Sequence, residues 1–494
     1  MVPRFFRFGL VGFMLLAGDP FTVVYGQDAP STPPRVLRAD TSGSANPPAE
    51  PEVTKAIELD DDDVVVDEEW GEIEDVEKPA ATDTADNFDD DLSVEWEDDE
   101  APGADSLEPG KPESPFSLTG VVGLELRTFP FNPGFGNQKK STFSPALIIE
   151  PELIYNWNGG KDRFTFKPYL VLDKDDNNRS HFDIRELSFL HQGDGWDVLV
   201  GISKVFWGVT ESRKLVDIVN QSDSVLDGDN EDKLGQPMVN LNMDSEWGAL
   251  SLFVLPGFRE RTFPGDDNRF RGPLPIADDN PSFQSDAGRS RVDFAARWSQ
   301  TFGAWDVGVS HFYGTSREPR LLLGAGAGGQ PVLIPRYDII NQTGLDVQYT
   351  KDAWLWKFEA ISRQGHGKRF YAAVGGFEYT EYQVFDTQAD LGLLLEFQYD
   401  GRDTSDAPGA FGDNDVFAGA RLALNDAQDT TSLIGMIVDV ETGASFFSAE
   451  AERRIGDNWK IELEARFSLF IPDSDVAAGF RKDDLITLRL NRYF

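Results

Sequence analysis

The sequence predicts an all-β fold: a transmembrane antiparallel β-barrel of about 18 strands, with 16 as the alternative count, behind a disordered acidic N-terminal segment. Three observations predict it. Hydrophobicity alternates with a period of two along segments of about ten residues, the length a tilted membrane strand needs. The connections between these segments are alternately tight and long. Tryptophans gather beside the tight ones.

The alternation is clearest near the C-terminus. In "RRIGDNWKIELEARFSLF", Trp459, Ile461, Leu463, Ala465, Phe467 and Leu469 share one strand face, and Lys460, Glu462, Glu464 and Arg466 share the other. The same split separates Val292, Phe294, Ala296 and Trp298 from Asp293 and Arg297. It also separates Leu391, Leu393, Leu395, Phe397 and Tyr399 from Glu396, Gln398 and Asp400. An apolar face toward lipid and a polar face toward a wet lumen explain it, and only closure satisfies the backbone at membrane depth.

Eighteen such segments start near Ser117, Ser144, Arg163, His181, Gly195, Pro237, Trp247, Ser290, Ala304, Asn341, Trp354, Arg369, Asp390, Asp413, Thr430, Ser445, Asn458 and Asp484. With the first strand starting at the periplasm, every second connection is a periplasmic turn, from "NGGK" and "QGDG" through to "IGDN". All the long connections then fall outside, among them Trp207–Gln236, Pro256–Arg289, Ser316–Ile340, Asp400–Gly412 and Pro472–Asp483. Trp157, Trp196, Trp247, Trp305, Trp354 and Trp459 flank the periplasmic turns, as an interfacial girdle requires.

Residues 1–26 read as a secretory signal peptide: Arg4 and Arg7, an apolar run from Phe8 to Ala17 too short to span a bilayer, and small residues before a cut near Gln27. Residues 27–116 hold 29 Asp and Glu against 5 Lys and Arg. Such a segment cannot bury enough apolar surface to order itself, so it is expected to be disordered and periplasmic. Trp70 and Trp96 sit in two apolar islands within it, which are either copies of a partner-binding motif or chance. The barrel is expected over 117–494. The whole chain carries a formal charge of -41 and no Cys. No run of 18 apolar residues marks a membrane helix.

The chain ends "DDLITLRLNRYF", with Ile486, Leu488, Leu490 and Phe494 on one face and Tyr493 before the last residue. This resembles the assembly signal of Gram-negative outer-membrane barrels, with Arg492 in place of the usual apolar residue. The resemblance implies delivery to the barrel-insertion machinery and residence in outer-membrane lipid. It implies no cofactor and no nucleic-acid partner.

The third external connection reads "WGVTESRKLVDIVNQSDSVLDGDNEDKLGQ". Leu215, Ile218 and Val219 have helical spacing, so a short amphipathic helix is expected. In position and length the segment resembles the third loop of porins, which folds inward as a constriction. On that resemblance Arg213, Lys214, Asp217, Asn220 and Asp223 are the constriction candidates; the alternative is a helix capping the outside. Trp207-Gly208-x-Thr210 and Asp217-x-x-Asn220-x-x-Asp223 also resemble a recurring loop motif of porin-like proteins, with Gln221 where Pro is expected.

Inward charges are mixed in sign, without a ring of either: Lys167, Arg185, Arg297, Lys357, Glu359, Arg363, Glu396, Arg421, Glu450, Glu464, Arg466 and Arg489. "DKDDNN" (Asp173 to Asn178) lacks the glycine and glutamate of a calcium loop and reads as a solvated turn. His311 and Ser310 are strand neighbours that face opposite ways, and "GAGAGG" (Gly324 to Gly329) lacks the strand-to-helix context of a phosphate cradle. No enzyme signature stands out. The sequence supports a passive channel for small hydrophilic solutes, or alternatively an anchoring barrel whose acidic tail docks a periplasmic partner. Joining the signal peptide directly to Ser114 is expected to leave barrel insertion intact; loss of the heat-modifiable gel band would mean the acidic segment is part of the fold.

Overall fold

The computed structural model describes residues 114–494 apart from 227–230, 267, 411 and 474. The expected signal peptide at 1–26 and nearly all of the acidic segment at 27–116, with Trp70 and Trp96, lie outside the described residues. The strands are β1 (Phe116–Thr128), β2 (Phe143–Trp157), β3 (Asp162–Asp173), β4 (His181–Gln192), β5 (Trp196–Ser203), β6 (Gln236–Ser245) and β7 (Gly248–Pro256). There follow β8 (Ser282–Phe283), β9 (Val292–Phe302), β10 (Trp305–Thr315), β11 (Arg320–Ala325), β12 (Pro331–Tyr337), β13 (Ile339–Lys351) and β14 (Trp354–Gly365). The last are β15 (Gly367–Glu381), β16 (Asp390–Asp400), β17 (Asn414–Ala423), β18 (Thr431–Asp439), β19 (Ser445–Ile455), β20 (Trp459–Phe470) and β21 (Leu485–Tyr493).

Eighteen of these form one antiparallel sheet in which each strand pairs with the next in the chain, and β21 pairs back onto β1. The ring is closed, so no strand edge is left open. Every expected strand is present, displaced by a few residues at most. The other three, β8, β11 and β12, make a small sheet inside two external loops. "GAGAGG" runs from the end of β11 into the tip of the β11–β12 hairpin.

The two faces differ as the period of two requires. On β16, Leu393, Leu395, Phe397 and Tyr399 are 42–48% exposed on the outside, whereas Glu396, Gln398 and Asp400 are 0–5% exposed on the inside. Trp196, Trp247, Trp305, Trp354 and Trp459 are exposed beside the tight turns, and Trp157 stacks between Tyr155 and Phe189 at the same rim. Ser310 is buried inward and His311 faces out, with its Nδ1 3.0 Å from Thr343 Oγ1.

Closure is made by the ends of the described chain. β1 and β21 pair from Val121 opposite Tyr493 to Thr128 opposite Ile486. One step further, Gly120 and Phe494 exchange both backbone hydrogen bonds at 3.1 Å. A Cβ at Gly120 would lie 2.7 Å from Phe494 Cζ and 2.8 Å from Pro151 Cα, so only glycine fits. Leu488 and Phe494 are exposed on the outer face. Arg492 is tolerated there because its guanidinium lies 5.5 Å from the Trp459 ring centre, a cation–π contact at the aromatic rim. Deleting Phe494, or changing Gly120→Val, removes or distorts this seam. Each is expected to lower the yield of folded barrel sharply, read as loss of the heat-modifiable band on an unboiled gel.

Candidate functional site

An 18-stranded barrel is too wide for wall side chains to fill. Toward the mouth that carries the long loops, the third loop, described over residues 204–226 and 231–235, packs on the inner wall. Leu215, Val216, Ile218 and Val219 are buried against inward residues of the wall, including Met238, Phe253, Phe312, Ile340 and Ile361.

The expected helix does not form there. A helix would bury its own backbone donors in intrahelical bonds; this segment gives them to two wall carboxylates instead. Glu359 on β14 accepts from the amides of Val209 (2.7 Å), Thr210 (2.9 Å), Leu215 (2.6 Å) and Val216 (3.1 Å), and from Thr210 Oγ1 (2.7 Å). Glu396 on β16 accepts from the amides of Glu211 (2.8 Å) and Ser212 (2.7 Å) and from Ser212 Oγ (2.5 Å). Two carboxyl groups, each with several acceptor sites, satisfy six amides together, whereas a helix this short is marginal by itself, which favours this arrangement.

The constriction candidates divide by burial. Asn220 is buried at the neck of the loop. Its Oδ1 accepts from Val205 N, and its Nδ2 donates to the carbonyls of Ser203 and Leu234, tying the loop's two ends together. Asp217 accepts from the amides of Trp207 (2.6 Å) and Gly208 (2.9 Å). Asp223 is fully buried, paired with Arg185 at 2.9 Å and His181 at 3.3 Å, and accepts from Thr262 Oγ1. Asn220 and Asp223 therefore do not line a water-facing surface, because each satisfies buried groups of the loop. Burial pushes the Asp223 carboxyl up, but the hydrogen bond with His181 and the Arg185 charge outweigh it and hold it below its usual value. Its contribution to stability is therefore present above the ordinary carboxylate range and lost only as pH falls through that lowered value.

Arg213 and Lys214 keep part of their surface. Arg213 pairs with Asp400 at 2.8 Å and donates to the carbonyl of Gly412; Lys214 lies 3.7 Å from Glu231. Every named residue of the two loop motifs, from Trp207 to Asp223, thus has a stitching role.

Other loops are fastened to the same body. Arg317 donates to the carbonyl of Val219 and pairs with Asp293 at 3.0 Å. Glu318 pairs with Arg363 (3.0 Å) and Arg402 (2.8 Å), and Arg402 with Asp400 (2.8 Å). His366 is buried next to this network. Burial, then the Arg363 charge, push it down to about 4, so it stays neutral. A base held down in this way costs stability as pH falls from its ordinary 6.5 toward 4, because the unfolded chain takes up the proton first.

Apart from Glu359 and Glu396, several inward charges have partners of opposite sign. Arg297 pairs with Asp346 through two bonds of 2.5 and 2.7 Å. Lys357 and Arg421 both reach Glu211 and Glu378. Arg466 pairs with Glu464 at 2.5 Å, and Arg489 with Glu125 at 2.6 Å. The Asp173–Asn178 turn is largely solvated, with Lys174, Asn177 and Asn178 exposed. Asp173 pairs with Arg179 at 2.6 Å, and Asp176 is buried beneath the fourth external loop, bonded to Asn268. Among the described residues no three carboxylates or histidines converge as a metal site.

No protein-family profile and no curated protein matches the chain. Solved structures do resemble it. A variant of the Rh. blastica porin matches with a TM-score of 0.38 and 12% identity, over 77% of this chain and 100% of its own. A BenF-like porin from Pseudomonas fluorescens Pf-5 matches with a TM-score of 0.46 and 12% identity, over 77% of this chain and 97% of its own. At such identity the likeness concerns the barrel alone.

Removing the carboxylate at Glu359→Ala leaves three buried amides and the half-buried one of Val209 without their acceptor, at about 1–3 kcal/mol for each buried amide. The loop is expected to detach while the barrel stays closed. Trypsin should then cut after Arg213 or Lys214 in the variant but not in the parent, with the heat-modifiable band retained.

Proposed function

We propose that the chain is an outer-membrane channel of porin type, through which small hydrophilic solutes diffuse passively, with the third external loop as its constriction and the acidic N-terminal segment on the periplasmic side. The observation that supports it best is the fastening of residues 209–216 to Glu359 and Glu396 on the inner wall. A loop held across a wide polar lumen reduces its cross-section without closing the membrane barrier to water. On this reading Asp217, Asn220 and Asp223 set the loop's shape, and the part-exposed ends of Arg213 and Lys214 border the gap.

A second reading is an anchor whose acidic segment docks a periplasmic partner. It draws on the dense cross-linking of loops three, five and seven at the mouth, through Arg317, Glu318 and Arg402. Purified full-length protein in a planar bilayer separates the two. The channel reading expects stepwise conductance, and a larger, noisier conductance when Glu359→Ala is combined with Glu396→Ala. A folded barrel that inserts but conducts in neither form supports the anchor.

A further inference from the structure

Lipid tails give a polar side chain nothing to bond to, so the outer face of a membrane strand is expected to be apolar between its two rims. Much of the outer face follows this. Leu393 and Leu395 on β16, Ile434 and Met436 on β18, Val200 on β5 and Leu252 on β7 are all exposed there. One stretch departs from it. His311 stands near the middle of β10, exposed on the outer face. Thr343 on β13 is directly opposite His311, and Ser362 on β14 is directly opposite Thr343, so the three form one row. Toward the external rim the patch continues through Asn341, Gln364 and Arg369.

The wall satisfies these groups in part. His311 Nδ1 lies 3.0 Å from Thr343 Oγ1, and Arg369 donates to Ser362 Oγ (2.8 Å) and Gln364 Oε1 (2.7 Å). The second ring nitrogen of His311 and the side-chain amide of Asn341 make no hydrogen bond among the described residues. Small side chains border the row: Ala296 is opposite His311 on β9, and Ala360 is the next outward residue to Ser362 on β14. Small residues let a second surface come close enough to exchange hydrogen bonds. Lipid headgroups lie at the rims and cannot cover the middle of a strand, and lipid tails cannot bond, so the cover that suits this row is protein.

Two flanking charges point to which protein. At the external end of β15, Lys368 is exposed and makes no ion pair among the described residues, though Asp403 lies near enough to feel its charge. On the other flank, just before β9, Asp286 is exposed and likewise without an ion pair among the described residues. A second copy related by a two-fold axis along the membrane normal keeps every residue at its own depth. With that axis at β13, Thr343 meets its own counterpart. β10 then faces β14 of the other copy, which sets His311 against Ser362 and Ala360. β9 faces β15, which sets Asp286 against Lys368. The patch is thus complementary to itself in hydrogen bonding and in charge, as an isologous contact requires.

We propose that the outer face of β9, β10, β13, β14 and β15 is the interface of a homodimer formed within the membrane by two copies of this chain. The proposal holds whether the barrel conducts or anchors.

The test is the mass of the full-length protein, purified in mild detergent and measured by light scattering with the detergent subtracted. The parent is expected to have twice the mass of one chain. His311→Leu with Thr343→Val removes the polar groups of the row and should halve that mass while the heat-modifiable band is retained. Asp286→Lys should lower the fraction of dimer, and adding Lys368→Asp should restore it. This exchange of charges lies at the rim, so it keeps the test decisive where the row variant folds poorly. A monomeric parent, any other stoichiometry, a different protein in place of the second copy, or a dimer that neither set of variants moves overturns the proposal.

Discussion

Everything in this molecule follows from the requirement that a backbone in lipid must satisfy its own hydrogen bonds. Seventeen strand pairings along the chain meet it for the interior of the sheet, and the eighteenth, β21 on β1, meets it for the two edges. The seam ends where Gly120 and Phe494 exchange amide bonds, at a backbone approach no side chain could share. The number of strands in turn fixes the lumen's width, and that width creates the second problem. A lumen this wide must be left as water or filled by chain that brings its own buried polar groups with it.

The filling combines apolar packing of Leu215 to Val219 on the wall with two wall carboxylates that take up the loop's amides. Among the described residues Glu359 makes no ion pair, yet it is completely buried. Its two oxygens accept from the amides of residues 209, 210, 215 and 216, a converging set of donors as in an anion nest, and Glu396 works the same way for residues 211 and 212. The exchange is reciprocal. The loop's donors would be costly to bury without acceptors, and the carboxylates would be costly to bury without donors. Each solves the other's desolvation.

The strands were legible in the sequence because lipid and lumen impose opposite polarity on neighbouring residues. Trp459 to Leu469 carries that signal in every residue. The tight turns were legible for a related reason, since the tryptophans mark the interface. The third loop's position was legible from its length and place, but its conformation was not. The spacing of Leu215, Ile218 and Val219 fits a helix, and it fits equally a turned segment buried on several sides, with Val216 buried as well. What decides between them is Glu359, about 150 residues away in the chain, and no local pattern reveals it. At the Asp173 to Asn178 turn only the burial of Asp176 was hidden, because Asn268, which bonds to it, lies in another loop.

The fastenings also bear on how such a loop could move. Asp400 holds Arg213 of the third loop and Arg402 of the seventh. Arg402 in turn shares Glu318 of the fifth loop with Arg363 of the wall. Arg317, next to Glu318, holds the carbonyl of Val219. Displacing the third loop therefore breaks contacts to two others as well as to the wall, and the contacts broken are charged ones in a low-dielectric setting, where an orphaned partner is most costly. The far side of the wall holds the loop as well. Arg127 on β1 donates to the carbonyl of Leu226, whose side chain is buried with Ala146 on β2 and with Tyr169 and Val171 on β3. The third loop is thus fastened at Glu359 and Glu396 on one side and at β1 to β3 on the other, so freeing it requires loss of contacts to both sides of the lumen and to the neighbouring loops together.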